Sequence, residues 1–250
     1  MLLAIDVGNT QTMFGLFDGG ELSDHWRVAT EGQRTGDELG ALIQSFLDLE
    51  RVDRICLSST VPQLVREYEA FAERYAQAEL LVVRPGVRTG IQIHYDDPRE
   101  VGPDRIANAV AASERYGAPC IVVDFGTSMN FDVVGLEGEF AGGVLAPGIE
   151  VSMGALAARA ARLFSVDFAT PPSVISQSTV GALQSGLVYG FAGQVDGIVD
   201  RIREELGVEA QTVATGGLAE LIAPHARTLE TIDPFLTLEG VRLVWERNRG

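Results

Sequence analysis

The chain predicts an α/β fold in two similar halves, residues 1–117 and 118–250, set around a central cleft. Two observations carry this. The first is the opening stretch Ala4-Ile5-Asp6-Val7-Gly8-Asn9-Thr10-Gln11-Thr12, where an apolar run ends in an aspartate, a glycine and small polar residues before a second apolar run begins. The second is its recurrence at mid-chain as Cys120-Ile121-Val122-Val123-Asp124-Phe125-Gly126-Thr127-Ser128. One constant displacement carries Asp6 onto Asp124, Gly8 onto Gly126, Gly20 onto Gly138 and Glu21 onto Glu139. Internal repetition of this kind implies duplicated supersecondary units. On the same displacement Asp132 falls at the place of Phe14, an odd site for a carboxylate.

The elements follow in order. Residues 1–5 and 13–17 read as buried strands joined by the Asp-x-Gly turn, and Asp18-Gly19-Gly20 turns the chain into a third strand over 21–29. An amphipathic helix covers 36–49, with Thr35 or Asp37 as its cap. A strand spans 54–58. Ser59 and Thr60 cap a helix over 61–76, whose Pro62 suits a first turn. A strand at 79–83 and a Gly/Pro-rich connector over 84–98 lead to a helix over 102–116. The second half repeats three strands within 120–147. It continues with an alanine-rich helix over 148–163, a proline-marked loop, and a long helix over 179–206 capped by Ser178-Thr179. A strand at 211–214 ends in Thr215-Gly216-Gly217, a short helix follows, and a helix over 236–247 closes the chain. Gly186, Gly190, Gly193 and Gly197 share one side of the long helix, which suits close contact within the fold or between subunits.

Composition narrows the function. The net charge of −16 opposes sequence-independent nucleic-acid binding, which needs a basic footprint. All 19 basic residues are arginine. Without lysine, the Walker-A loop, the protein-kinase strand lysine and Schiff-base chemistry are excluded. Any bound triphosphate must be met by backbone amides, metal and arginine. No apolar run approaches the ~20 residues of a membrane span, and the strand-like start shows no signal peptide. Cys56 and Cys120 sit in apolar strands and read as buried free thiols. The three histidines are scattered, without metal-ligand spacing.

The turns carry the chemistry. A glycine turn with bare N–H groups lets phosphate oxygens approach. Gly8, Asn9, Thr10 and Thr12 suit one end of a phosphate chain; Gly126, Thr127 and Ser128 suit the other. Asp6 can hold Mg²⁺ through water. Thr215-Gly216-Gly217 is either an ordinary strand–helix turn or bare backbone for a purine. Asp104 with Arg105 reads either as a helix-terminal acid beside a surface arginine or as a general base with an anion clamp.

Taken together, Asp6-Val7-Gly8-Asn9-Thr10, Gly102-Pro103-Asp104-Arg105, Asp124-Phe125-Gly126-Thr127 and Thr215-Gly216-Gly217 resemble the type III pantothenate kinases in order and spacing. Pro85-Gly86-Val87-Arg88-Thr89-Gly90 and Leu236-Thr237-Leu238-Glu239-Gly240 extend the likeness over the whole chain. The resemblance implies a duplicated ribonuclease-H-like fold, that of the actin-like ATPases, heat-shock-70 proteins and sugar kinases. It implies ATP-dependent phosphorylation of pantothenate to 4′-phosphopantothenate, the first step of coenzyme A synthesis. By similarity, Asp6, Val7, Gly8, Asn9, Thr10, Gln11, Thr12 and Met13 line the ATP phosphates and Thr127 also meets ATP. Tyr95, Gly102, Pro103, Asp104, Arg105 and Thr179 meet pantothenate, with Asp104 as proton acceptor. Asp124 holds a monovalent cation, K⁺ or NH₄⁺. A cytoplasmic homodimer is implied as well. Pro103 stands where the family usually has alanine, and Ser128-Met129-Asn130 replaces its commoner Ala-Thr-Thr.

Two rival readings share this fold. One is a kinase for a sugar or another hydroxy acid. The other is a non-catalytic regulatory homologue, against which the intact Asp6, Asp104 and Asp124 argue.

Overall fold

A computed structural model describes residues 1–160 and 163–249. The chain forms two compact units, 1–111 with 235–250 and 112–234. The first therefore regains the C-terminal helix, which a cut at 117/118 assigns to the second half.

The first unit opens with β1 (Leu2–Val7), β2 (Gln11–Asp18) and β3 (Glu21–Ala29). Then come α1 (Gly36–Gln44), β4 (Arg54–Ser59), α2 (Pro62–Phe71), continued by a wider turn over Ala72–Ala76, and β5 (Glu79–Val82). α3 (Pro103–Tyr116) has its residues divided between the units. The second unit has β6 (Cys120–Phe125), β7 (Ser128–Val134), β8 (Phe140–Pro147), α4 (Ile149–Arg159), α5 (Thr179–Leu206), β9 (Gln211–Thr215), α6 (Ala219–Ile222) and β10 (Thr231–Ile232). α7 (Leu236–Arg247) belongs to the first.

The two sheets have the same topology. Their strand orders are β3-β2-β1-β4-β5 and β8-β7-β6-β9-β10. In each, the first three strands run antiparallel and the last two join in parallel. A bulge interrupts the outer pair at the same place, between Leu16 and Phe17 and between Val133 and Val134. Conserving an irregularity is stronger evidence of duplication than conserving a strand, because a bulge is a specific local device.

Register also corrects the alignment of the halves. Four residues separate the paired Val7 and Thr12, but three separate Phe125 and Met129. The second turn is one residue shorter, so Phe131 takes the place of Phe14, and Asp132 that of Gly15. The following hairpin regains the residue: Asp18 pairs with Glu21, whereas Gly135 closes on Glu139. Phe14 and Phe131 are both fully buried. Cutting either to alanine should cost about 3–5 kcal/mol.

β1 is buried on both faces, hence its continuous apolar run. Leu3, Ile5 and Val7 face Leu39 and Ile43 of α1 and Leu64, Tyr68 and Phe71 of α2. α7 packs against β1, β2 and β4. Its Gly240 lies on the backbone of Ala107 in α3, where a methyl group would overlap the carbonyl. Apolar content makes α7 a core helix but does not say which sheet it covers. In the second unit Ile121, Val123, Phe125 and Phe131 pack on Val188, Ala192, Val195 and Val199 of α5.

Several boundaries differ from expectation. α1 ends at Gln44, capped by Thr35 in a reciprocal arrangement with Glu38, while Asp37 accepts from Tyr75 instead. α2 has no side-chain cap: Ser59 closes a small turn with Val61, and Thr60 bonds the carbonyl of Val7. α4 stops at Arg159; Ala161 and Arg162, within the expected helix, lie outside the described residues. Ser178 alone caps α5, accepting from the N–H of Gly181, and Thr179 is the first helical residue. β10 has two residues, too few to show a period.

Candidate active site

In the first unit the phosphate-type turn is closed by Gly8 N–H donating to the Gln11 carbonyl at 3.0 Å. Asn9, Thr10 and Gln11 are exposed, Gly8 and Met13 half-buried, and Val7 fully buried. Thr12 turns the other way. It is buried, and its hydroxyl lies 2.8 Å from that of Thr30 and also bonds Tyr68. The exposed part of the turn is thus three residues, with Thr12 fastening it to the core from behind.

Asp6 sits on the sheet face opposite the α1/α2 core, between Met13 of β2 and Ser58 of β4. Ser58 donates to its Oδ1 at 2.9 Å. Sequence reasoning passed over Ser58, although a buried serine in an apolar strand needs a hydrogen-bond partner.

Asp104 stands in the first turn of α3. Its carboxyl receives the N–H groups of Arg105 and of Asp104 itself, and Arg105 lies beside it, all of which favour the ionised form. Burial outweighs them and pushes its pKa above the ordinary aspartate range. Oδ1 is sealed from solvent and has no hydrogen-bond partner among the described residues. Gly102 is close-packed on this carboxylate, leaving no room for a methyl group. Pro103 is the first helical residue, where a missing N–H costs the helix nothing. Arg105 is buried, so the surface reading of that arginine does not hold. Tyr95 is half-buried in the connector between β5 and α3.

In the second unit Asp124 occupies the position of Asp6, between Asn130 of β7 and Thr215 of β9. The N–H of Gly126 donates to the Ser128 carbonyl at 3.1 Å, and Gly126 and Thr127 are exposed. Gly216 lies directly against the Asp124 carboxylate and the Phe125 backbone, with φ +91°. Thr215-Gly216 thus forms one wall of the Asp124 turn. Gly148, a residue the sequence reading missed, closes another by donating to the Thr127 carbonyl at 3.1 Å. Thr179 is exposed at the start of α5. Among the described residues no three His, Cys, Asp or Glu side chains form a metal-binding group.

The chain overlays on a Campylobacter jejuni protein described as a candidate Baf family transcriptional activator, at TM-score 0.62 and 19% identity, covering 98% of each chain. It also overlays on the activator of 2-hydroxyisocaproyl-CoA dehydratase from Clostridium difficile, solved with ADPNP bound, at TM-score 0.57 and 12% identity, covering 98% of this chain and 95% of that one. These likenesses show the fold, a duplicated ribonuclease-H-like one. Residues 2–201 match the model of the type III pantothenate kinase family. The type III pantothenate kinase of Acidothermus cellulolyticus is 55% identical and that of Myxococcus xanthus 50%, each over 99% of both chains. The chain belongs to the type III pantothenate kinase family.

Proposed function

We propose that this protein transfers the γ-phosphoryl group of ATP to the primary hydroxyl of pantothenate, giving 4′-phosphopantothenate for coenzyme A synthesis. The single observation that carries the mechanism is the Asp104 carboxyl, buried, raised in pKa and with one oxygen unengaged. A general base works best when its pKa approaches the working pH. Asp104 takes the proton of the pantothenate hydroxyl as that oxygen attacks the γ-phosphorus, and the bond to the ADP oxygen breaks. Arg105, buried beside it, meets the pantothenate carboxylate with its fork of donors. Tyr95, Gly102, Pro103 and Thr179 complete the acceptor's contacts.

The backbone of Asn9, Thr10 and Gln11 binds ATP phosphates, with Asp6, Val7, Gly8, Thr12 and Met13 shaping that turn and Thr127 adding a contact. Bound Mg²⁺ would neutralise charge on the phosphates. Asp6, half-buried and steadied by Ser58, suits holding it through water. A monovalent cation, K⁺ or NH₄⁺, fits Asp124: Gly126 and Gly216 leave a cradle beside its carboxylate that side chains would fill.

The working form is a cytoplasmic homodimer. Apolar side chains stand exposed on β8, α4, the loop before α5 and the start of α5, among them Leu145 at 60% and Ile175 at 87%. No helix among the described residues is long and apolar enough to cross a membrane.

The direct test is phosphate transfer with ATP, Mg²⁺ and K⁺ across a panel of pantothenate, sugars and small hydroxy acids. Turnover should be confined to pantothenate. Preference for a sugar would favour the other-acceptor reading, and nucleotide binding with no transfer would favour the regulatory one.

A further inference from the structure

The two Asp-x-Gly turns are not equivalent, and the difference lies in what stands beside each aspartate. Asp6 is flanked by the thioether of Met13 and accepts a hydrogen bond from Ser58. Asp124 is flanked in the matching position by Asn130. Paired residues on adjacent antiparallel strands present their side chains on one face. Neighbouring Met129 and Phe131 belong to the α5 core, so Asn130 shares the opposite face with Asp124.

Asn130 is 6% exposed, and its amide oxygen has no hydrogen-bond partner among the described residues. Buried polar oxygens are almost always satisfied, so one left open beside a carboxylate calls for an occupant that an oxygen can hold. The local donors are a carboxylate, an amide oxygen and the hydroxyl of Thr215, with no sulfur or imidazole in the three-strand row. Such a set suits a hard cation, and uncharged carbonyl-type oxygens replace the hydration shell of K⁺.

Resting on the assignment of the monovalent cation to Asp124, we propose that the Asn130 amide oxygen is a second ligand of that cation. Asn130 thereby makes the second turn a cation seat, while Met13 leaves the first without that ligand.

The experiment follows thermal unfolding of the full chain with a non-hydrolysable ATP analogue. Potassium chloride is titrated against choline chloride at constant ionic strength. Wild-type protein should gain stability with K⁺. Asn130→Leu, which removes the oxygen and keeps the bulk, should need about tenfold more K⁺ for half the gain. Asn130→Thr, which keeps an oxygen, should fall between. Should the leucine variant fail to fold in choline, Asn130→Ala carries the same test by removing the oxygen with no added bulk. Variants titrating like wild type, with Asp124→Ala abolishing the response, would overturn the Asn130 assignment alone. A normal K⁺ response in Asp124→Ala, or none in wild type, would overturn the Asp124 assignment and this one with it.

Discussion

Gly216 stands against the Asp124 carboxylate with no space for a methyl group between them. Its φ of +91° is a conformation that side chains disfavour, so strain and overlap act together at this position. Gly216→Ala should destabilise the protein by about 1–3 kcal/mol. The melting midpoint should fall by about 2–4 °C for each kcal/mol. Activity should fall further than stability does, because the displaced group is the proposed cation ligand. Calorimetry beside steady-state kinetics checks this; unchanged kinetics would remove Gly216 from the wall of the site.

Asp104 gives a prediction with a definite sign. Its carboxyl has a higher pKa folded than unfolded, chiefly through burial. Such a group weakens folding above its folded pKa, and the loss fades as pH drops through that value. Asp104→Asn should therefore abolish turnover and raise the melting midpoint at neutral pH, with the difference narrowing in acid. In the wild type, kcat/KM should fall on the acid side with an apparent pKa above that of an ordinary aspartate. An active asparagine variant would take Asp104 out of the base role.

Much of this was legible because duplicated residues constrain each other. The β1 and β6 runs end in aspartates at matching places, and those places proved to be matching sites on two sheets of one topology. What escaped was set by register and tertiary contact. A constant displacement placed Asp132 on Phe14; the shorter second turn, visible only from strand pairing, puts it on Gly15. Thr12 resembles its turn neighbour Thr10 in sequence, but strand alternation sends it to the core. Ser58 and Asn130 gained meaning from the aspartates they adjoin across strands, a relation with no local pattern in the sequence.

The two cysteines predict chemical silence. Cys56 and Cys120 are fully buried and free, and burial pushes each thiol up to about 12. The thiolate is the reactive form, so native protein at pH 8 should show almost no rapidly titrating thiol. Denaturant should release both to the same reagent. A fast native thiol would mean that β4 or β6 opens far more readily than its packing suggests.

The long helix α5 offers the last test. Gly186, Gly190 and Gly193 all face open space, so nothing in the described chain packs there to offset their poor helix propensity. Replacing an exposed helical glycine with alanine normally gains about 1 kcal/mol. If a second copy fills this face, the methyl group meets a neighbouring backbone and that gain is lost. Gly190→Ala should then leave the melting midpoint unchanged or lower it. Gly190→Glu should convert dimer to monomer by light scattering, since a buried charge without a partner is strongly unfavourable. A stabilised alanine variant and a glutamate variant of wild-type mass would show that the glycine face meets water.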